Sequence, residues 1–299
     1  MKVKFLCRLL NRHKQQMYNL LTIDSEDRVR EDMIAGAQVY EEFGLPPFAL
    51  LYEGEEVVGF FILLCVEEDS DGELVAEGRF YIRGNEKLYV EYLIQSLKEE
   101  YEELRHLSVL SEEKVPYLAF FPHYAECFMR LSRESNINRM NNSESNYCNR
   151  EISHSYKEID KTLFQIEPID NIQGVEIQFY LEVLKDIFFM DEEVANQHLK
   201  ECLDDCDCNL YVVKIDKKII GTCGAYIGTK SNTIFDIAIC QSEQGKGYGR
   251  LLLAELLSKL NHPSKDIILQ VSTKSEAAFH LYEEYGFDIE QRLFFYEVW

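Results

Sequence analysis

The segment Gln244-Gly245-Lys246-Gly247-Tyr248-Gly249-Arg250 is the stretch of this chain best suited to chemistry. Three glycines let the backbone come close to a ligand, and consecutive N–H groups can then converge on an anion. Lys246 and Arg250 add charge-assisted contacts. The spacing is not the G-x-G-x-x-G of a dinucleotide turn, and no Walker lysine-serine pair follows. Asp236 lies upstream in an otherwise apolar run, and Tyr282 lies downstream on the helical stripe Ala278, Leu281, Tyr282, Tyr285. A strand-pairing aspartate and a core tyrosine fit those positions. His198, Cys202, Cys206 and Cys208 carry metal-ligating side chains among Asp204, Asp205 and Asp207. They lack C-x-x-C spacing, and eight helical residues span about 12 Å. A solvated acidic helix end is expected there, and no metal.

The flanking elements are those that build an anion site. Thr233 to Cys240 reads as a strand buried on both faces. The glycine turn follows it, then a helix with Leu253, Leu256, Leu257 and Leu260 on one face, ended by Asn261-His262-Pro263. The helix dipole therefore points its positive end at the turn. Asp266 to Val271 reads as a strand, Ser275 to Phe287 as a helix, and Leu293 to Trp299 as a final strand. Upstream, Leu210–Ile215 and Ile219–Tyr226 form a hairpin about Asp216-Lys217-Lys218. A similar hairpin occurs earlier, Phe48–Tyr52 and Glu56–Leu64 about Glu53-Gly54-Glu55. Gly59 and Gly221 stand at the same point of the returning strand. Each hairpin follows helix-like acidic sequence, Ser25 to Phe43 and Val175 to Leu203. The chain thus reads as an internal duplication. Ser132 to Lys161, with Asn141 to Asn146, reads as linker, although Tyr147 to Tyr156 could form an edge strand.

Two ordered motifs carry a family likeness. Gln244 to Gly249 resembles the Q/R-x-x-G-x-G/A pyrophosphate signature of the GNAT superfamily of acyl-CoA N-acyltransferases. Ser275 to Phe287 resembles that family's N-x-x-A-x-x-L-Y-x-x-x-G-F helix. The resemblance runs from about Leu163 to Trp299. It implies an α/β fold (a mixed, α+β-type sheet) in tandem GNAT-like domains, each a twisted mixed β-sheet flanked by helices. Residues 1–158 would be a degenerate copy and 159–299 the acyltransferase. The implied cosubstrate is acetyl-CoA. Ile237, Ala238 and Ile239 would lie along its pantetheine, and the N–H near Ile239 would donate to the thioester oxygen. Gln244, Gly245, Lys246, Gly247, Tyr248, Gly249 and Arg250 would hold the pyrophosphate. Ser275 replaces the family's asparagine and keeps one hydrogen bond for the cofactor. Tyr282 matches the tyrosine that protonates the departing thiolate, and Asp236 is the candidate base. The implied activity is N-acetyl transfer to an amine of a small molecule or protein. The alternatives are a non-catalytic acyl-CoA-binding or regulatory module and O-acyl transfer.

In the first half, Ala76 to Ile82 leads into Arg83-Gly84-Asn85-Glu86-Lys87-Leu88-Tyr89. One glycine remains and acids stand where phosphates would approach, so this copy is expected to have lost CoA.

Bulk properties frame these expectations. The chain has 299 residues, 46% of them hydrophobic, and suits two packed domains. Asp and Glu number 53 against 31 Lys and Arg, a formal charge of −22. That balance disfavours nucleic acid and anionic membrane and suits a cationic partner such as an amine. A homodimer is compatible with it. No apolar run approaches the roughly 20 residues of a membrane span. The basic start, Met1 to Leu10, reads as a first strand rather than a signal peptide. Nine irregularly spaced cysteines suit a reducing cytoplasm.

Overall fold

The computed structural model describes residues 1–21, 26–69, 71–83, 87–112, 114–135, 163–169 and 174–299. They divide into two compact units, residues 1–126 with 291–299 and residues 127–290. The first unit runs β1 (Lys2–Leu6), α1 (Asn11–Tyr18), α2 (Glu26–Phe43), β2 (Phe48–Glu53), β3 (Glu56–Glu68), β4 (Leu74–Ile82), α3 (Lys87–Glu100) and β5 (Leu104–Ser111). It also takes the start of β6 (His123–Leu131) and, from the chain's end, most of β12 (Asp288–Glu297). The second unit runs from the rest of β6 through β7 (Phe164–Pro168), α4 (Val175–Asp186), α5 (Glu192–Asp204), β8 (Cys208–Ile215), β9 (Lys218–Ile227) and β10 (Ser231–Ile239). It continues through α6 (Tyr248–Lys259), β11 (Asp266–Ser272) and α7 (Glu276–Glu284). A strand, two helices, three strands, a helix and a strand thus occur twice. The duplication read from the hairpins is present as architecture.

Strand pairing is mixed in each unit. In the first unit the strand order is β1-β2-β3-β4-β5-β12-β6, with β4 parallel to β5 and the other registered pairs antiparallel. In the second it is β6-β11-β10-β9-β8-β7, with β10 parallel to β11 and β9 antiparallel to both β10 and β8. The first core gathers Phe61, Leu93, Leu97, Tyr101 and Leu107 around the fully buried Tyr296. The second gathers Ile177, Tyr180, Leu184, Ala195, Leu199 and Leu210.

Several details depart from the sequence reading. The sequence reading kept the final strand with the second half, whereas β12 pairs with β5 as Phe294↔Ser111 to Glu297↔Ser108. Tyr296 supplies the reason, because it is buried in the first core and its hydroxyl accepts the Val115 N–H at 2.8 Å. Local pattern cannot say which sheet edge receives a strand. The helix-like acidic stretch from Val175 forms two helices. Phe189 breaks it in left-handed backbone at φ +55°, with the Met190 N–H bonded to the Leu184 carbonyl at 3.1 Å. The linker signal at Asn141 to Asn146, the edge-strand alternative at Tyr147 to Tyr156 and the turn at Gly84 to Glu86 lie outside the described residues.

The matched glycines have a packing reason. Gly59 pairs with Ile82 and Gly221 with Ile239, the last residue of the central strand in each copy. A Cβ at Gly221 would overlap the Ala238 carbonyl oxygen. At Gly249 a Cβ would meet only Leu281 Cδ2, at 3.7 Å. Gly221→Ala should therefore lower stability by about 1–3 kcal/mol, as overpacking does. Gly249→Ala, in helical backbone, should hold or raise it. Urea midpoints check both, and an unshifted Gly221→Ala would contradict the register.

Candidate active site

β10 is interrupted where the site forms. Its partner changes from Phe235↔Gly224 to Ala238↔Thr222, so one extra residue bulges out of the ladder. Asp236 adopts left-handed backbone at φ +49° there. Such strain costs on the order of 1–3 kcal/mol and persists only when neighbours enforce it. They do. The buried Thr222 hydroxyl donates to the Asp236 carbonyl at 3.1 Å. The Tyr180 hydroxyl donates to Asp236 Oδ2 at 3.0 Å, and His198 Nε2 lies 2.8 Å from the same oxygen. The Phe235 ring occupies the space a side chain at Gly224 would need, and His198 meets that ring edge-on at 6.1 Å. Oδ1 accepts no hydrogen bond among the described residues.

The bulge also changes what β10 offers its other neighbour. β10 pairs with β11 only from Ser231↔Asp266 to Ile234↔Leu269. Beyond that point residues 235–239 run on without β11. The Gln244 side-chain amide donates to the Ile239 carbonyl at 2.8 Å, while the Cys240 N–H reaches back to the Ile220 carbonyl of β9. Ile239 therefore points its backbone away from β9, and by strand alternation so does Ile237. This is an open strand edge inside the fold. The sequence expectation of a strand buried on both faces is corrected accordingly, since Thr233, Phe235, Asp236 and Ile237 are only half-buried.

The chain then enters the glycine turn. Gly245 and Gly247 have φ +73° and +89°, and Gly247 caps α6 with no side-chain cap bond. Among the described residues, the N–H groups of Gly245, Lys246, Gly247, Tyr248 and Gly249 make no hydrogen bond, whereas those of Arg250 and Leu251 return to the Gly247 carbonyl. Five successive donors at a helix start form an anion-binding concavity. The two cations beside it are engaged with acids. Lys246 Nζ is 2.7 Å from Glu243, which also holds Lys218 at 2.9 Å, and Arg250 pairs with Glu284. These partners hold the Glu243 and Glu284 carboxyls below their usual range.

Tyr282 and Ser275 sit on or beside α7. Tyr282 is buried edge-on to Phe287, and burial, with Cys223 nearby, pushes its hydroxyl well above the phenol range. It stays protonated and can donate that proton. Ser275 caps α7 through its carbonyl, which accepts the Phe279 N–H at 2.9 Å.

The metal-type cluster is split. Cys206 is exposed with Asp205 and Asp207, their ligand atoms within 4.8 Å of one another. His198 faces Asp236 instead, with Cys202 Sγ at 3.9 Å. Sequence reasoning missed His198 and Tyr180 as partners of Asp236. The Tyr180 signal was a phenol on the apolar stripe Ile177, Tyr180, Val183, Leu184.

Comparison with known proteins supplies the family. The acetyltransferase (GNAT) family model matches residues 177–287. These residues are a GNAT domain. The match spans α4 through α7 and contains the bulge, the open edge and the glycine turn. No curated protein matches the chain. Among solved structures, a GCN5-related N-acetyltransferase from Sphaerobacter thermophilus is similar at 14% identity, covering 88% of this chain and 84% of that one with a TM-score of 0.49. A tandem GNAT protein from the clavulanic acid biosynthesis pathway is similar at 12% identity, covering 100% and 99% with a TM-score of 0.47. An aminoglycoside acetyltransferase from an uncultured soil metagenomic sample is similar at 20% identity, covering 43% and 90% with a TM-score of 0.34. Among the described residues no helix is long and apolar enough to cross a membrane.

The GNAT domain's His198–Asp236 pair has a consequence for stability. The hydrogen bond to Asp236 holds His198 above its ordinary 6.5, at about 10. The folded state therefore binds this proton more tightly than the unfolded chain. The stabilisation is complete below about 6.5 and is lost as pH rises through about 10. Between pH 7 and 10, wild-type stability should fall more than that of His198→Gln. Equal pH dependence in paired urea titrations would contradict the pairing.

Proposed function

We propose that the unit 127–290 binds acyl-coenzyme A, acetyl-CoA in particular, and transfers its acyl group to an amine. The observation that carries this reading is the run of five unpaired N–H groups at residues 245–249, placed directly after an open strand edge. Such donors fit a pyrophosphate. Gly249 fits the same ligand, because nothing in the protein forbids a side chain there and glycine costs a helix about 1 kcal/mol relative to alanine. Close approach of a ligand accounts for its presence. Lys246 and Arg250 are themselves exposed and can exchange their carboxylate partners for phosphate, since surface pairs contribute about 0–1 kcal/mol.

When bound, acetyl-CoA supplies an acyl group already activated as a thioester. Ile237 and Ile239 offer backbone groups to the pantetheine arm, with Ala238 packed between them. The Ile239 N–H is the donor for the carbonyl oxygen, where negative charge grows during attack. Asp236 Oδ2 is held by Tyr180 and His198, leaving Oδ1 to orient the incoming amine and take its proton. Tyr282 donates a proton to the departing thiolate. The acidic surface favours a cationic acceptor.

The first unit supports a single cofactor site per chain. Its central pairing is unbroken from Gly59↔Ile82 to Leu63↔Gly78, with no bulge opposite the position of Asp236. β4 stays paired with β5 through Arg79↔Leu110, leaving three residues, 80–82, to run on rather than five. Calorimetry with acetyl-CoA should give one site per chain, and Gly247→Glu should abolish it in a folded protein. Two sites, or undiminished affinity in the variant, would overturn the assignment.

Tyr282→Phe removes one oxygen and keeps the contact with Phe287. Stability should change by about 1 kcal/mol or less and acetyl-CoA affinity should hold. The single-turnover rate with a reactive amine should fall roughly 10²-fold. An unchanged rate would leave Tyr282 as a core residue. A protein that binds acetyl-CoA and turns over none of a broad amine panel would be a sensor.

A further inference from the structure

We propose that the groove between α1 and α2 of the first unit is the docking site for an acidic, amphipathic helix of a protein partner. A segregation of charge and an apolar stripe meet there. Residues 1–21 hold five cations, Lys2, Lys4, Arg8, Arg12 and Lys14, and no Asp or Glu. The rest of the chain holds all 53 acids against 26 cations. All five cations are exposed, and none forms an ion pair among the described residues. Lys4 Nζ lies 4.7 Å from the centre of the Tyr52 ring, and the Tyr52 hydroxyl donates to Gln16 Oε1 of α1 at 3.3 Å. Arg12 and Lys14 are on α1 itself, with Arg12 Nε bonded to the neighbouring His13 ring at 3.2 Å. On so acidic a chain, an unpaired basic face gives an acidic partner one place of attraction and repels it elsewhere, which fixes how it approaches.

The groove supplies the apolar half. A cavity of about 520 Å³ lies between the two helices, with Lys14 and Tyr18 on one wall and Arg30, Met33, Ile34, Ala37 and Glu41 on the other. The α2 residues follow i, i+3, i+4, i+7 and i+11, so they form one stripe about 17 Å long. Val29, Asp32, Gly36 and Val39 are the buried face of the same helix, which leaves the stripe outward. Ile34 is 64% exposed. The Tyr18 hydroxyl meets Met33 Sδ at 4.0 Å and joins the two walls. An apolar ridge at this spacing, bordered by a second helix, is a surface that a third helix packs into. Lys14 and Arg30 border the ridge, and Arg30 is held loosely, 3.8 Å from an exposed Asp27. The occupant therefore needs apolar residues on one face and carboxylates on its flank. Glu41 marks the far end of the stripe, which places those carboxylates toward Arg30. A basic helix would meet Lys14 and Arg30 with like charge, and the rest of a chain of net charge −22 would attract it more strongly.

The test uses the full-length protein and a fluorescein-labelled peptide of about 16 residues, with Leu at helical spacing and Glu elsewhere, beside a Lys-for-Glu counterpart. Fluorescence anisotropy at about 50 mM salt, where surface charges are weakly screened, reads the affinity. The acidic peptide should bind wild type, and its affinity should fall roughly tenfold in Ile34→Glu and in Lys14→Glu. Both positions are exposed, so both variants should fold, which circular dichroism checks. The basic peptide should bind the variants no more weakly than wild type. An acidic peptide that does not bind, or that binds the variants as well as wild type, would overturn the proposal. So would either of two other occupants. A dimer seen by sedimentation velocity in the free protein, and dissolved by Ile34→Glu, would give the groove to a second copy. Flotation with phosphatidylserine vesicles, abolished by Lys14→Glu, would give it to a lipid surface. Acyl transfer is measured in none of these arms, so their outcome is separate from the acyl-transfer reading.

Discussion

The left-handed backbone at Asp236 is the constraint on which the second unit's site depends. An aspartate at φ +49° in the middle of a strand is unfavourable by itself, and three side chains hold it there. Thr222 satisfies the displaced carbonyl, while Tyr180 and His198 converge on one carboxylate oxygen. Because Oδ2 is doubly occupied, the carboxylate is held in place, and its other oxygen accepts no hydrogen bond among the described residues. The same extra residue ends the match between β10 and β11. Pairing stops at Ile234, and the remaining residues carry backbone donors and acceptors that the sheet does not use. Unpaired groups of this kind are costly in a folded interior unless something else meets them.

The glycine turn extends that logic. Gln244 fixes the end of β10 through the Ile239 carbonyl, so the open edge and the first orphan N–H of the turn are separated by a short, tethered stretch. Gly245 and Gly247 take positive φ and bring successive N–H groups to one side, and α6 begins without a side-chain cap. A helix start left uncapped gives up roughly 1 kcal/mol that a Ser or Asp would supply. That omission is reasonable where an anion serves as the cap. The first unit has the same succession of elements, but its β3–β4 register shift falls on β3, between Leu63 and Cys65, and fewer unpaired residues remain at the end of its central strand.

Much of this was legible in sequence because it is local. The hairpins, the glycine turn, the leucine face of α6 and the matched Gly59 and Gly221 follow from short-range spacing. They fall within a residue or two of expectation, except that β3 runs on to Glu68. The partners of Asp236 were not legible, because Tyr180 and His198 lie 56 and 38 residues away and meet it only through packing of α4 and α5. His198 was instead grouped with nearby cysteines, of which the fold keeps Cys202 near it and leaves Cys206 exposed. The partner of β12 was illegible for a related reason: an apolar strand carries no address for the sheet edge it joins.

The central claim is that the open edge of β10 and the glycine turn together form one ligand-binding surface. Hydrogen exchange read by mass spectrometry, with and without saturating acetyl-CoA, tests it directly. The account predicts slowed exchange across residues 237–250, where the unpaired N–H groups would gain acceptors, and unchanged exchange across β4 and the start of α3. Protection confined to the first unit, or none across 237–250 under conditions where calorimetry detects binding, would contradict it.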